Sequence, residues 1–357
     1  MDSAKYIGMD LHQATISVAV MNSAGKLTME SVIETNATTI LQFIRGLRGT
    51  LHVTFEEGTC AAWLYDLVVP HVNKVVVCNP RKNALLKVGN KNDRIDARKL
   101  AELLRAGLLS PVYHGEAGVL VRSLKELARS YLVITKDLTR VMNRLKALYR
   151  SRAIPCTGRL VYTPHHRVEW LEKLPESGVR RRAVRLYQQL DVLQSLRQEA
   201  RRELLAESRK HPATRVLRQI PFLGAIRVAL LIALLQTPHR FRTKRQLWAY
   251  CGLALDTHTS AEYRFVAGQV QRSGKWLAIR GLNDNHNPDL KNIFKSAATT
   301  ASARPGPFRD FYAALLAKGM RPSMARLTLA RKIAAITLIL WKKGGSFDAE
   351  ELKPQAA

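Results

Sequence analysis

The sequence predicts an α/β domain at the N-terminus, then a long helical hairpin and a mainly α-helical C-terminal domain. Three observations support this prediction. β-branched runs alternate with helical stretches over the first 112 residues, which is typical of an α/β sheet. Apolar residues then recur at heptad spacing for about four heptads. Beyond residue 211, most of the apolar residues fall in helical patterns.

The N-terminal elements are predicted in the order β-β-β-α-β-α-β-α. The runs YIGMDL and ATISVAVM are β-branched, and NSAGK supplies a turn before a third strand. Helices are predicted over 37–48 and 61–70, on either side of a strand in LHVTFEEG. The run KVVVCNP is typical of a buried parallel strand. This order predicts an α/β sheet with an antiparallel hairpin at one edge, spanning residues 1–112.

Residues 113–210 are predicted to form a basic, antiparallel coiled-coil hairpin. Their apolar seam advances by alternating steps of four and three residues, and prolines between 155 and 177 interrupt it before a second helix. The remaining faces carry many Arg and Lys side chains, which indicate either a solvated surface or phosphate contacts. The first helix has its seam at Leu120, Leu124, Leu127, Tyr131, Ile134, Leu138, Val141, Leu145 and Leu148.

Residues 211–357 are predicted to be a mainly α-helical domain. The segment IPFLG at 220–224 resembles the turn of a helix-hairpin-helix motif, although ordinary helix entry is the favoured interpretation. A polar stretch extends to Gly274, and two helices are expected at about 307–318 and 323–342.

Composition narrows the class of protein. The 357 residues include 57 Lys+Arg and 28 Asp+Glu, a net charge of +29, for which nucleic acid is the expected partner. No apolar run has the length of a membrane span, and the four cysteines have no zinc or disulfide spacing. We expect a cytoplasmic, reduced protein with no membrane partner.

Carboxylates in apolar strand contexts are the candidate catalytic groups. Asp10 ends the first strand, Glu56 and Glu57 end a later one, and Asp93 and Asp96 share one helical face. Carboxylates that meet at one sheet edge repel each other unless a cation neutralises them, and oxygen ligands favour Mg²⁺ or Mn²⁺. Individually, the same residues are also consistent with helix capping or with simple strand termination.

The order of these acidic segments is the layout of a ribonuclease-H-like core of the RuvC type. The chain resembles the DEDD transposases of the IS110 insertion-sequence family, to which the Piv-type DNA invertases are related. The matching motifs, in order, are GMDLH (8–12), TFEEGT (54–59), KNDRIDARKLAELL (91–104), IPFLG (220–224), FRTKRQLWAYCGL (241–253) and RGLNDNHNPDLKNIFKSAA (280–298).

The resemblance implies that four acids, Asp10, Glu56, Asp93 and Asp96, bind Mg²⁺. Only one of the two adjacent glutamates can face the metal, and alignment of the following Leu-Tyr pair with the family pattern favours Glu56 over its neighbour.

The resemblance also implies a serine nucleophile in the C-terminal domain, which matches Ser260. The chain departs from the family pattern there, with Leu255 in place of Pro and Ala261 in place of Gly. Ser273 is the alternative because it keeps a Ser-Gly pair. Nearby basic residues are candidate phosphate contacts, with a solvated loop as the alternative interpretation; they are Arg264, Arg272, Lys275 and Arg280.

Together these features predict Mg²⁺-dependent cutting and rejoining of double-stranded DNA through a phosphoserine. The resemblance further implies a bacterial, nucleoid-associated recombinase guided by a non-coding bridge RNA. It also implies that acids of one protomer act with the serine of another, and the heptads favour a dimer or tetramer. A hydrolytic RuvC-type junction nuclease and a non-catalytic nucleic-acid-binding protein are the alternatives.

Overall fold

In the computed structural model, the chain forms two compact units, Met1–Glu116 and Ala117–Ala357. The structure describes residues 4–83, 92–112, 119–260, 263–272 and 276–352. The predicted segments 113–210 and 211–357 fall almost entirely within the second unit. Among the described helices, none combines the length and apolar character that crossing a bilayer requires.

The first unit contains a five-stranded mixed sheet in the order β3-β2-β1-β4-β5. The first three strands pair in antiparallel fashion, whereas β1–β4 and β4–β5 are parallel. The antiparallel hairpin therefore lies at one edge of the sheet, as the sequence predicts. The elements are β1 (Lys5–Leu11), β2 (Thr15–Asn22), β3 (Leu27–Glu34), α1 (Ala37–Gly46), β4 (Leu51–Glu56), α2 (Ala61–Val68), β5 (Lys74–Cys78), α3 (Pro80–Asn83) and α4 (Asp93–Arg105).

Helices cover both faces of this sheet. Alternate strand residues such as Ile7, Met9 and Phe55 form an apolar core with α1 and α2. The other face, which includes Gly8 and the buried Thr54, is covered by α4. This arrangement is compatible with a ribonuclease-H-like DEDD domain.

The second unit is largely helical. Its longest helices, α5 and α7, pack antiparallel. The end of α5 contacts the first half of α7 through Tyr149 and Tyr187, and Leu124 and Leu204, near the other ends, belong to one apolar cluster. Every described seam residue of α5 is buried or partly buried. The helices are α5 (Val119–Arg150), α6 (Arg167–Glu172), α7 (Ser177–Arg209), α8 (Ala213–Leu217), α9 (Ala225–Leu235), α10 (Lys244–Tyr250), α11 (Pro288–Ala303), α12 (Pro307–Ala317) and α13 (Pro322–Lys343).

The hairpin shares its core with the C-terminal helices. Leu124 and Ala128 of α5 belong to one apolar cluster with Val228 of α9 and Ile333 of α13. A separate cluster around Leu145 fills the opposite end of the hairpin. The coiled-coil character of the pair stays a prediction.

Short β-ribbons occupy the predicted polar stretch and the residues that follow it as far as Leu282. Two antiparallel pairs form there, β6 with β9 and β7 with β8. The strands are β6 (Leu255–Ser260), β7 (Tyr263–Val266), β8 (Gln269–Arg272) and β9 (Trp276–Leu282). The C-terminal domain is thus helical with an inserted β region.

Candidate active site

Two of the predicted acids lie at the carboxyl ends of adjacent parallel strands. Met9 of β1 is in register with Phe55 of β4, so Asp10 and Glu56 follow side by side in the chain direction. Both residues line a cavity of about 610 Å³. Carboxyl ends of parallel strands are the usual position of binding sites in α/β sheets, and this cavity occupies such a position.

The N-terminus of α4 brings Asp93 to the same edge, where it lies in one group with Asp10 and His12. Asn92 caps the helix by accepting a hydrogen bond from Arg94 N at 3.2 Å, and Asp93 and Asp96 occupy its first turn. The carboxylates therefore lie where the helix dipole favours negative charge.

Gly8 allows α4 to lie directly against β1. A Cβ atom at this position would be 2.1 Å from the carbonyl oxygen of Ala97 and 2.5 Å from the amide nitrogen of Ala101. Only a residue without a side chain permits that approach. Gly8 precedes Asp10 by two residues, so the close contact adjoins the acidic site.

His12 lies between the strand acid and the helix acid. Its Nε2 atom is 3.3 Å from Asp10 Oδ2 and 3.4 Å from Asp93 Oδ2. One ligand atom from each of the three residues falls within 4.8 Å of the others. His12 is not among the site residues predicted from the sequence, although it lies two residues after Asp10 in GMDLH.

This donor set fits a divalent cation. Two carboxylate oxygens are hard ligands that suit Mg²⁺, Ca²⁺ or Mn²⁺, and the imidazole adds a nitrogen donor. The side chain of Asp10 is only 19% exposed, whereas that of Asp93 is 62% exposed, so the site is sheltered on the strand side and open on the helix side. The choice of Mg²⁺ over other divalent ions stays a prediction.

The sheet register bears on the choice between the adjacent glutamates. Side chains alternate along a strand, and Phe55 faces the apolar core, so Glu56 belongs to the face that carries Gly8 and Asp10. Glu57 lies beyond the end of β4, and its amide donates to Cys78 O at 2.9 Å. Both glutamates line the cavity, and the assignment of Glu56 as a ligand stays a prediction supported by this register.

In the second unit, Ser260 is the last residue of β6 and is paired in register with Trp276 of β9. Of the candidate phosphate contacts, Arg264 lies in β7, Arg272 in β8 and Arg280 in β9. The alternative nucleophile and the remaining cation, Ser273 and Lys275, lie outside the described residues. The assignment of these residues to a nucleophilic site stays a prediction.

A tight corner fixes the end of the β6–β9 ribbon at which Leu255 pairs with Leu282. Gly252 has a φ of +64°, and a Cβ atom there would lie 2.4 Å from Cγ of His286. The amide of Asn283 donates to Ala254 O at 3.2 Å, and that of Asn287 donates to Tyr250 O at 2.9 Å. Two of the sequence motifs, WAYCGL and GLNDNHNP, therefore form one structural corner, a role that sequence reasoning did not assign.

Comparisons with known proteins agree with this architecture. Residues 7–151 match a transposase family of the IS110 DEDD type, and residues 214–313 match the transposase family IS116/IS110/IS902. The chain is 29% identical over 182 residues to a transposase for insertion sequence element IS1533 from Leptospira borgpetersenii. That alignment covers 47% of this chain and 50% of the relative, so the chain matches about half the relative's length.

Proposed function

Because the chain belongs to the IS110 family of transposases, we propose that it cuts and rejoins double-stranded DNA by serine-dependent strand transfer. The observation that carries the proposal is that Asp10 and Glu56 line one cavity, and that Asp93, from the first turn of α4, lies in one group with Asp10 and His12. In a chain of net charge +29, acids clustered in this way are costly for a protein that only binds phosphate.

The acids hold a divalent cation in this proposal. The ligands are Asp10, Glu56, Asp93 and Asp96, and Mg²⁺ is the expected ion, with Mn²⁺ as a substitute. When bound, such an ion stabilises the charge on the attacking and departing oxygens of a phosphodiester. The open helix side, where Asp93 is 62% exposed, leaves room for the scissile phosphate.

Ser260 supplies the nucleophile. Its hydroxyl oxygen bonds to phosphorus as one P–O ester bond of the DNA backbone breaks, and the proton of the serine passes to the departing sugar oxygen. The number of phosphate ester bonds is unchanged, so a sugar hydroxyl of another strand can reverse the reaction and rejoin the DNA. A serine hydroxyl needs activation for this step, because it is a weak nucleophile at its own pKa.

The partners follow from the family. We propose a structured bridge RNA that selects donor and target DNA, and a dimer or tetramer in which acids of one protomer act with the serine of another. The excess of basic residues is compatible with holding both nucleic acids.

The test is a covalent-adduct trap on the full-length protein. Wild type, Ser260→Ala and Ser273→Ala are expressed with the native DNA that flanks the gene, lysed in detergent, and the DNA is assayed for bound protein. We expect an adduct in the wild type and in Ser273→Ala, and none in Ser260→Ala.

The other outcomes identify the competing mechanisms. Loss of the adduct in Ser273→Ala alone would make that serine the nucleophile. Strand breaks with free 5′-phosphates and no adduct would indicate a hydrolytic nuclease. DNA binding without any breaks, and unchanged by removal of Mg²⁺, would indicate a protein that only binds nucleic acid.

A further inference from the structure

A second concave surface lies in the helical unit, where α7 ends and α8 begins. It is a shallow cavity of about 780 Å³, largely open to solvent, and the residues that line it include no carboxylate. Four cations and one imidazole are among the lining residues, namely Arg209, Lys210, His211, Arg215 and Arg218.

The backbone of this corner is held by a buried hydrogen-bond network. Thr214 Oγ1 donates to the carbonyl oxygen of Ser208, and the two hydroxyl oxygens lie 3.1 Å apart. Both side chains are buried. The amide of Ala213 donates to Nδ1 of His211 at 3.2 Å, which leaves the N–H of the neutral ring on Nε2. These hydrogen bonds hold the bend between α7 and α8, which carries the cations.

Two of the arginines have free guanidinium groups. Arg215 and Arg218 are exposed and are three residues apart, which places them on one side of the helical segment. Within the described part of the chain, neither guanidinium group has a hydrogen bond or an ion pair, although the backbone amide of Arg218 donates to Thr214 O. Lys210, by contrast, is paired with Glu207 at 2.6 Å. Unpaired guanidinium groups match the oxygens of a phosphate diester in a bidentate manner.

We propose that this cavity binds consecutive phosphates of a nucleic-acid backbone, independently of base sequence. The inference rests on the proposed function, which makes nucleic acid the partner, and it assigns one anchoring surface to that partner. Cations distributed over a helix end, a bend and a second helix suit a polymer of phosphates better than a single small anion. DNA and RNA backbones share this chemistry, so the source is decided by experiment.

The test compares two double variants of the full-length chain. Arg215→Ala/Arg218→Ala removes the free cavity arginines, and Arg45→Ala/Arg48→Ala removes two exposed arginines of the same spacing from the first unit. Affinity for a 25-base-pair DNA duplex and for an RNA duplex of the same sequence is measured across a series of NaCl concentrations.

We expect the cavity variant to lower the slope of log affinity against log salt by about 2, since each lost phosphate contact removes about 1. The Arg45/Arg48 variant should keep the wild-type slope. A decrease in slope for only one of the two duplexes would support the proposal and would identify that nucleic acid as the ligand of the cavity.

The proposal is overturned if the cavity variant keeps the wild-type slope on both duplexes. It is also overturned if the cavity variant and the Arg45/Arg48 variant show the same decrease in slope. Wild-type protein that binds neither duplex would overturn it as well. The proposed function has its own test. If the wild-type protein formed no covalent adduct with DNA, the strand-transfer mechanism would be contradicted, but the affinities measured for the two duplexes would still stand.

Discussion

At the scale of single residues, the Asp10–His12–Asp93 group brings two carboxylates close to one imidazole. Two carboxylate oxygens approach one imidazole nitrogen to 3.3 and 3.4 Å, within a group whose ligand atoms span no more than 4.8 Å. Like charges at such distances raise the energy of the ionised pair. A bound divalent ion would offset that repulsion, so we expect the acids to contribute more to stability when the metal is present.

Asp10→Asn should therefore have a larger effect with metal than without it. In EDTA, we expect the variant to melt close to the wild-type temperature, because the loss of one like charge offsets the weaker contact with His12. With Mg²⁺ at about a hundredfold its Kd, the wild type should gain about 2.7 kcal/mol in free energy of unfolding. The variant should lose most of that gain in thermal melts.

Asp66→Asn is the matched control, since Asp66 is exposed on α2 and does not line the cavity. It should keep the full metal-dependent rise in melting temperature. An Asp10→Asn protein that keeps the rise, or a control that loses it equally, would contradict a metal site at this group.

The local sequence around Glu56 and Glu57 does not decide which of the two glutamates shares a face of the sheet with Asp10. Both acids follow the same apolar run, and a shift of one residue reverses the face of a strand. The pairing of Met9 with Phe55 supplies the missing register, because it relates Glu56 to Asp10 across neighbouring strands. That pairing depends on contacts between segments more than forty residues apart, which local patterns do not contain.

At the scale of elements, the site depends on how closely α4 approaches β1. Backbone atoms of the helix occupy the space where a side chain at Gly8 would lie. The interior is packed too densely to absorb such an intrusion without movement of the helix. Any such movement carries Asp93 and Asp96 with it, because they belong to the first turn of α4.

Gly8→Ala is expected to lower the free energy of unfolding by about 1–3 kcal/mol and to weaken metal binding. Gly46→Ala is the control, since a Cβ atom there meets nothing within 4 Å and the residue ends α1. Urea unfolding gives the stability, and metal titration of the folded protein gives the binding. Equal stability and equal metal affinity in the two variants would contradict the close packing of α4 on β1.

Element types were predictable where the local pattern is strong. The β-branched runs of the first unit and the heptads of α5 correspond to strands and to a 32-residue helix in the structure. The β-ribbons between Leu255 and Leu282 were not predicted, because β6 and β8 are polar and β7 and β8 have only four residues each. Their pairing depends on the corner formed by Gly252 and His286, which joins segments about thirty residues apart.

At the scale of the whole molecule, the acids proposed to bind metal and the proposed serine nucleophile lie in different compact units. The acids that are proposed to hold the metal belong to Met1–Glu116, and the proposed serine nucleophile belongs to Ala117–Ala357. Most of the excess positive charge also falls in the second unit, since the first 112 residues carry 13 basic and 10 acidic groups. Catalysis in the proposed mechanism therefore requires two units that the chain encodes separately.

If the acids of one protomer act with the serine of another, two inactive chains should restore activity when combined. We expect Asp96→Ala and Ser260→Ala proteins, each inactive alone, to form the covalent DNA adduct when they are co-expressed with the native flanking DNA. Only mixed sites that pair an intact acid set with an intact serine are active, so the yield should be highest near equal amounts.

The control combines Asp96→Ala with Asp10→Asn, two lesions in the same unit, which cannot complement each other at a shared site. In the complementing pair, Asp96→Ala with Ser260→Ala, epitope tags of different size identify which chain carries the DNA. Ser260 is intact only in the Asp96→Ala chain, so the adduct should appear on that chain alone. Absence of any adduct at every ratio would contradict a site shared between protomers and would favour catalysis within one chain.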